Sequence, residues 1–163
     1  MAQFVRGEDP RRVSANRPTK SVSSETTFHD DIADGEALKK ILWRQADRVA
    51  RRIKNAELAG NTVVLKLRRA DFRILTRSRR LPDPTQLADT IYHHAAELLA
   101  KEINGTAYRL LGVGLSGLVD GAEADPLSLA DPCGGRRADA ERALDKVRER
   151  FGTEAIGKGR GLR

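Results

Sequence analysis

The sequence predicts an α+β fold: a β-α-β-β-α-β core arranged as a two-layer sandwich, with two helices covering one face of a four-stranded sheet, followed by a C-terminal helix. Three observations predict it. Residues 61–81, NTVVLKLRRADFRILTRSRRL, hold two runs of alternating apolar and polar residues around a short turn, the pattern of a β-hairpin. Two stretches, 34–57 and 83–103, carry apolar residues at helical spacing. Two further alternating stretches, 20–30 and 107–116, supply the first and fourth strands.

The first strand is KSVSSETTFHD, with Val22, Ser24, Thr26 and Phe28 on one side and Ser21, Ser23, Glu25 and Thr27 on the other. The first helix repeats Leu38, Ile41, Leu42, Val49 and Ile53, with Asp34 as its N-cap and Gly60 as its stop. Arg44, Arg48, Arg51 and Lys54 fall on its polar side and read as solvated charges, and Trp43 reads as a packing residue.

A two-residue turn at Ala70-Asp71 sets Arg69 opposite Phe72 in the hairpin. Val63, Leu65, Leu67, Phe72, Ile74 and Thr76 then share the inner face. Val64, Lys66, Arg68, Arg73, Leu75, Arg77 and Arg79 share the outer one. In that register Arg68 lies opposite Arg73, a repulsive pair that a bound polyanion would relieve. Seven basic residues against one acid give this stretch +6 of the chain's +7. Such a patch is the footprint of a nucleic-acid surface; an ordinary solvated sheet face with extra arginine is the alternative.

Asp83-Pro84-Thr85-Gln86 reads as the start of the second helix, with Asp as cap, Pro at the first position and Gln three after the cap. Its buried stripe is Leu87, Ile91, Ala95, Leu98 and Leu99, and Asn104-Gly105 closes it. The fourth strand points Leu111, Val113 and Leu115 inward and Leu110, Gly112, Gly114 and Ser116 outward. Glycine on that outer face would admit a close neighbour. Residues 119–135 form an Asp-, Pro- and Gly-rich linker, and 136–151 a third helix with Ala140, Leu144, Val147 and Phe151 on one stripe and Gly152 as its stop.

Composition narrows the function classes. At 163 residues and 39% apolar, one domain of about 100 residues with tails is expected. No apolar run reaches the ~18 residues that span a bilayer, and the N-terminal stretch is not a signal peptide. Cys133 is the one cysteine, so no disulfide framework or thiolate metal site is expected. These features fit a cytoplasmic location. His93 and His94 are helix neighbours whose side chains diverge by roughly 100°, and no nucleophile, base and orienting group come together. The Gly112–Gly117 stretch matches G-x-G-x-x-G, and Gly152–Gly159 resembles a phosphate loop, but neither opens a helix. The chain itself therefore does not read as an enzyme, and neither a cofactor nor a metal is expected in it.

KSVSSETTF (residues 20–28), the strand ILTRSRRLP (74–82) and RLLGVGLSGL (109–118) together resemble the little-finger domain of Y-family DNA polymerases, most closely their bacterial polymerase IV branch. Residues 7–20 resemble the end of the thumb and its tether, and KVRERFG (146–152) resembles a bacterial C-terminal extension. The resemblance implies residues 1–19 as thumb remnant and tether, 20–118 as the DNA-binding domain, 119–135 as linker, and 136–163 as C-terminal helix and tail. It implies an antiparallel sheet in a reversed ferredoxin-like order, 1-4-2-3. It also implies a monomer that holds primer-template duplex DNA by its backbone, within a parent polymerase whose magnesium and catalytic carboxylates lie in the palm.

Family contacts fall on Ser21, Ser23, Thr76, Arg77, Ser78 and Arg79, beside the patch residues Lys66, Arg68 and Arg73. The inner-face assignment of Thr76 conflicts with that. A free-standing RNA-binding module is the rival reading. It wants aromatic residues on the exposed sheet face, and the outer set above has none. Finally, Leu127 and Leu129 in DPLSLADP sit in a polar linker with nothing near in sequence to bury them. Extended peptides of this kind dock into partner grooves. The family carries a similar peptide, Q-L-S-L-F, for the replication sliding clamp, although Pro126 and Ala130 stand here in place of Gln and Phe. An ordinary linker whose leucines fold back is the alternative.

Overall fold

A computed structural model describes residues 19–126, 134–153 and 155–159. Residues 1–18 of the 1–19 tether and the docking leucines Leu127 and Leu129 lie outside the described residues. The elements are β1 (Ser21–Ile32), α1 (Gly35–Asn55), β2 (Leu58–Arg69), β3 (Ile74–Thr85), α2 (Ala88–Ala100), β4 (Tyr108–Asp120), a 3₁₀ turn (Gly121–Glu123) and α3 (Gly134–Phe151). The sheet is antiparallel in the order β1-β4-β2-β3, as the resemblance implies.

The core lies between the sheet and α1 and α2. Leu38, Leu42, Ala46, Val49 and Ile53 of α1 and Ile91, Ala95, Leu98 and Leu99 of α2 meet Val63, Leu65 and Leu67 of β2 and Leu111, Val113 and Leu115 of β4, all buried. Trp43 packs edge-on against Tyr92, ring centroids 5.4 Å apart. The weakly apolar inner side of β1 is explained by Ser24, whose buried hydroxyl donates to Gln45 Oε1 at 2.6 Å. Asp34 caps α1 as its spacing predicts, accepting from the backbone N–H of Glu36 and Ala37.

The hairpin differs from expectation. Arg69 N–H donates to Arg73 O at 2.9 Å, and Phe72 N–H to Arg69 O at 2.9 Å. The loop is therefore three residues, Ala70-Asp71-Phe72, with Phe72 left-handed at φ 66°. Both two-residue hairpin turns require a positive φ at the first central position, which Ala70 disfavours, and a three-residue loop ending in a left-handed residue is the next commonest solution. The added residue shifts β3 by one, and a one-residue slip moves every side chain to the other face. Arg68 pairs with Ile74, Lys66 with Thr76, Val64 with Ser78 and Thr62 with Arg80. The Arg68–Arg73 opposition does not exist. Phe72 and Ile74 are 60% and 52% exposed, while Leu75, Arg77 and Arg79 lie on the helix side.

Two boundaries and one packing expectation also change. Gly60 does not stop α1 but lies in β2, where a Cβ would come within 2.7 Å of Leu115 Cβ; α1 ends at Asn55, with Glu57 left-handed at φ 55°. Residues 82–84 do not open α2. They continue β3 along the sheet edge, where missing proline N–H groups leave no ladder bond unmade. Lastly, α3 does not dock by an apolar stripe. Its Ala140 is exposed and Phe151 is 67% exposed, whereas Ala138 and Glu141 are buried. It is held to α1 largely by ions: Lys54 Nζ bonds Glu141 (2.8 Å) and Asp145 (2.6 Å), and Arg148 bonds Asp47 (2.9 Å). Lys54 is thus paired rather than solvated.

Candidate nucleic-acid interface

The sheet face turned away from α1 and α2 carries no other layer among the described residues. Alternation and the observed register place Ser21, Ser23, Glu25 and Thr27 of β1 on it, beside Ser116, Gly114, Gly112 and Leu110 of β4. Next come Thr62, Val64, Lys66 and Arg68 of β2, then Arg80, Ser78, Thr76 and Ile74 of β3. Serine and threonine hydroxyls from all four strands line this floor, and a shallow hollow of about 330 Å³ crosses it between Ser21, Lys66, Thr76 and Ser116. The two glycines are fixed by β1 itself: a Cβ on Gly112 would meet Glu25 Cβ at 2.7 Å, and one on Gly114 would meet Ser23 Cβ at 2.8 Å. The close neighbour expected there is the adjoining strand.

The basic patch is sorted by this geometry. Arg77 Nε bonds Glu102 Oε1 at 2.7 Å, and Arg79 pairs with Glu97, both acids from the α2 side. Arg73 follows the hairpin loop and lies beside Asp71, Nε to Oδ2 3.6 Å. Lys66 reaches across β4 to Glu25, 2.8 Å away. Arg68 and Arg80 have no carboxylate partner among the described residues, and Arg68 Nε is buried without an acceptor. Of the residues expected at the site, the structure brings together Ser21, Ser23, Lys66, Arg68, Thr76 and Ser78. It turns Arg77 and Arg79 away and leaves Arg73 at the rim. Thr76 lies on the open face, so the register corrects its inner-face assignment.

Sequence reasoning missed Arg80 and Thr62, and although it set Glu25 beside Ser21 and Ser23 it missed the ion pair with Lys66. A signal for the first was present. Leu75 and Leu81 are six apart and so share a side; burying both puts Thr76, Ser78 and Arg80 on the other.

Around the site, burial and the nearby Arg79 charge hold the His94 imidazole below its usual value. Burial pushes the Asp125 carboxyl up, although it accepts from Thr85 Oγ1 at 2.5 Å and from Gln86 N–H at 3.0 Å. Among the described residues, no group of three or more His, Cys, Asp or Glu is placed to hold a metal ion, and no helix is long and apolar enough to cross a membrane.

Comparison with known proteins agrees with the fold. The impB/mucB/samB family C-terminal domain matches residues 19–129. DNA polymerase IV 1 of Mesorhizobium japonicum is 49% identical over 96% of this chain and 36% of its own length; the chain spans about a third of the length of the curated relatives it matches. Among solved structures, a Y-family DNA polymerase chimera superposes with TM-score 0.56 at 16% identity, over 73% of this chain and 34% of that one. A little finger domain of PolIV, solved in complex with the beta-clamp processivity factor, gives TM-score 0.53 at 22% identity, over 67% of this chain and 97% of that one. The chain therefore belongs to the impB/mucB/samB family, whose C-terminal domain it matches, and it shares the fold of the little finger domain of PolIV.

Proposed function

We propose that this chain is the DNA-binding little finger of a translesion polymerase IV and holds primer-template duplex by its phosphates across the open sheet face. One observation carries the reading: Arg68 and Arg80 flank a row of serine and threonine hydroxyls on an uncovered face, and neither has a carboxylate partner among the described residues. Hydroxyls and arginines are the usual donors to phosphate oxygens, and such contacts position a duplex without reading its sequence. The central strands β2 and β4 present no aromatic side chain on this face, which disfavours the base stacking of a free-standing RNA module.

The chemistry of nucleotide transfer, with its carboxylates and magnesium, belongs in this reading to the parent's palm, and this chain alone incorporates no nucleotide. The test is fluorescence anisotropy with primer-template DNA and with single-stranded RNA of equal length, beside an incorporation assay. Tighter RNA binding, or incorporation above a contaminant control, overturns the reading.

The sliding clamp is the second partner we propose. The similar PolIV little finger was solved with a clamp processivity factor, and Leu127 and Leu129 supply two apolar anchors. The segment leaves the domain at a fixed point, since Asp125 N–H donates to Pro84 O at 2.8 Å and its carboxylate is held by Thr85 and Gln86. Titrating a peptide of residues 121–134 against the clamp, beside its Leu127→Ala/Leu129→Ala version, tests this. Equal binding by the two peptides, or none at high micromolar concentration, removes the clamp as a partner of this segment.

A further inference from the structure

The hairpin tip has a feature that fold stability does not explain. Phe72 occupies the left-handed position of the loop at φ 66°, where glycine or asparagine is favoured and a bulky side chain is strained. Its ring does not offset that strain by burial, being 60% exposed. Strain kept without a packing return points to use. The ring is dressed with cations: the Arg109 guanidinium lies 4.2 Å from its centroid and that of Arg68 5.6 Å. Arg109 is the bulged residue of β4, displaced where Arg69 pairs with Tyr108 instead. The tip is continuous with the open face, since Ile74 pairs with Arg68 and Arg68 with Leu110.

We propose that Phe72, backed by Arg109 and Arg68, is a stacking platform for an unpaired nucleobase, on the single strand that continues beyond a duplex lying on the open face. The proposal rests on the duplex-binding reading above and adds a second kind of contact to it. Charge selects the occupant. Arg68, Arg69, Arg73 and Arg109 surround the tip against one acid, Asp71, which is engaged by Arg73. The core of a protein-binding patch is depleted of charge, whereas here guanidinium groups contact the ring itself. A single strand offers what this surface fits: a free π-face for the ring, a phosphate per nucleotide for the arginines, and no pairing partner to displace.

The test uses the full chain and three DNAs: a blunt duplex, the same duplex with a 5′ single-stranded extension carrying 2-aminopurine, and the extension alone. Phe72→Gly is the central variant. Glycine accepts the loop's φ, so its melting temperature should equal or exceed that of the parent chain. The parent should bind the extended duplex roughly tenfold more tightly than the blunt one and quench the 2-aminopurine, a base-stacking contribution. Phe72→Gly should keep blunt-duplex affinity within about twofold and lose both the gain and the quenching, while Phe72→Trp keeps them. Equal gain in Phe72→Gly overturns the proposal. So does an equal loss on blunt and extended duplex, which would make the ring part of the duplex surface. Unchanged DNA binding with weakened self-association in sedimentation also overturns it, in favour of a protein contact. The parent chain on blunt duplex reads the underlying reading separately, and the free extension reads stacking even if duplex binding fails.

Discussion

Replacing Glu141 with alanine should loosen the domain from a distance of more than fifty residues in sequence. Helix α2 begins after Leu87, whose side chain makes no cap bond. The orphan N–H of Ala88 is instead satisfied by Glu141 of α3, 2.7 Å away and buried. The same Oε1 accepts from Lys54 Nζ at 2.8 Å. Losing a cap costs about 1 kcal/mol, and losing a hydrogen bond to a charged group about 1.5–3 kcal/mol. Lys54 keeps Asp145 at 2.6 Å, which limits the second cost. We expect Glu141→Ala to destabilise by about 2–3 kcal/mol, lowering Tm by about 4–12 °C for a domain of this size. Glu141→Gln retains an acceptor for Ala88 and should recover about 1 kcal/mol of that. Urea melts of the three proteins give the comparison. Wild-type melting in Glu141→Ala would refute the trans cap, and Gln as costly as Ala would show that the ion pair with Lys54, not the cap, carries the effect.

The remaining predictions are simpler. Glu25 is the acid on the open face, paired with Lys66, so Glu25→Gln should release that lysine to phosphate. Duplex affinity should rise severalfold at low salt and its salt slope should steepen by about 0.9; weaker binding by titration would argue that the pair orders the surface. His94 is held below its ordinary 6.5 by burial and by Arg79. Protonation therefore favours the unfolded chain, so the stability this group contributes is present above pH 6.5 and is lost as pH falls through the depressed folded value. Thermal melts of His94→Gln between pH 7.5 and 5 should fall less steeply than wild type, and superimposable slopes would contradict the assignment.

Much of the fold was legible because periodicity forces it. The buried residues of β2, β4, α1 and α2 follow periods of two and 3.6, and those stripes survive small errors at element ends. The hairpin register did not follow from the pattern, since Ile74 and Leu75 are both apolar and either could face the core. Only loop length decides between them, and it depends on Phe72 taking a left-handed conformation that its side chain disfavours. That one residue redistributed the candidate site, exchanging Arg77 and Arg79 for Thr76, Ser78 and Arg80. The docking of α3 was unreadable for another reason. It uses Lys54, Asp47, Glu141, Asp145 and Arg148, and charged residues carry no burial signal in a sequence until their partners are known. Glu102 and Glu97 on the α2 side, with Glu25 and Asp71, likewise pair four of the seven cations, which leaves Arg68 and Arg80 on the open face without a carboxylate partner among the described residues.

The central claim is that duplex DNA lies on the open sheet face and not along the α2 edge. The most direct measurement is the salt dependence of primer-template binding by two double variants, Arg68→Ala/Arg80→Ala and Arg77→Ala/Arg79→Ala. Removing one arginine–phosphate interaction reduces the slope of log K against log salt by about 0.9. The first variant should lower the slope by about 1.8 with sequence preference unchanged, while the second, already neutralised by Glu102 and Glu97, should bind nearly as the parent does. A slope that falls in the second variant and holds in the first would place the DNA on the other side of the edge strand.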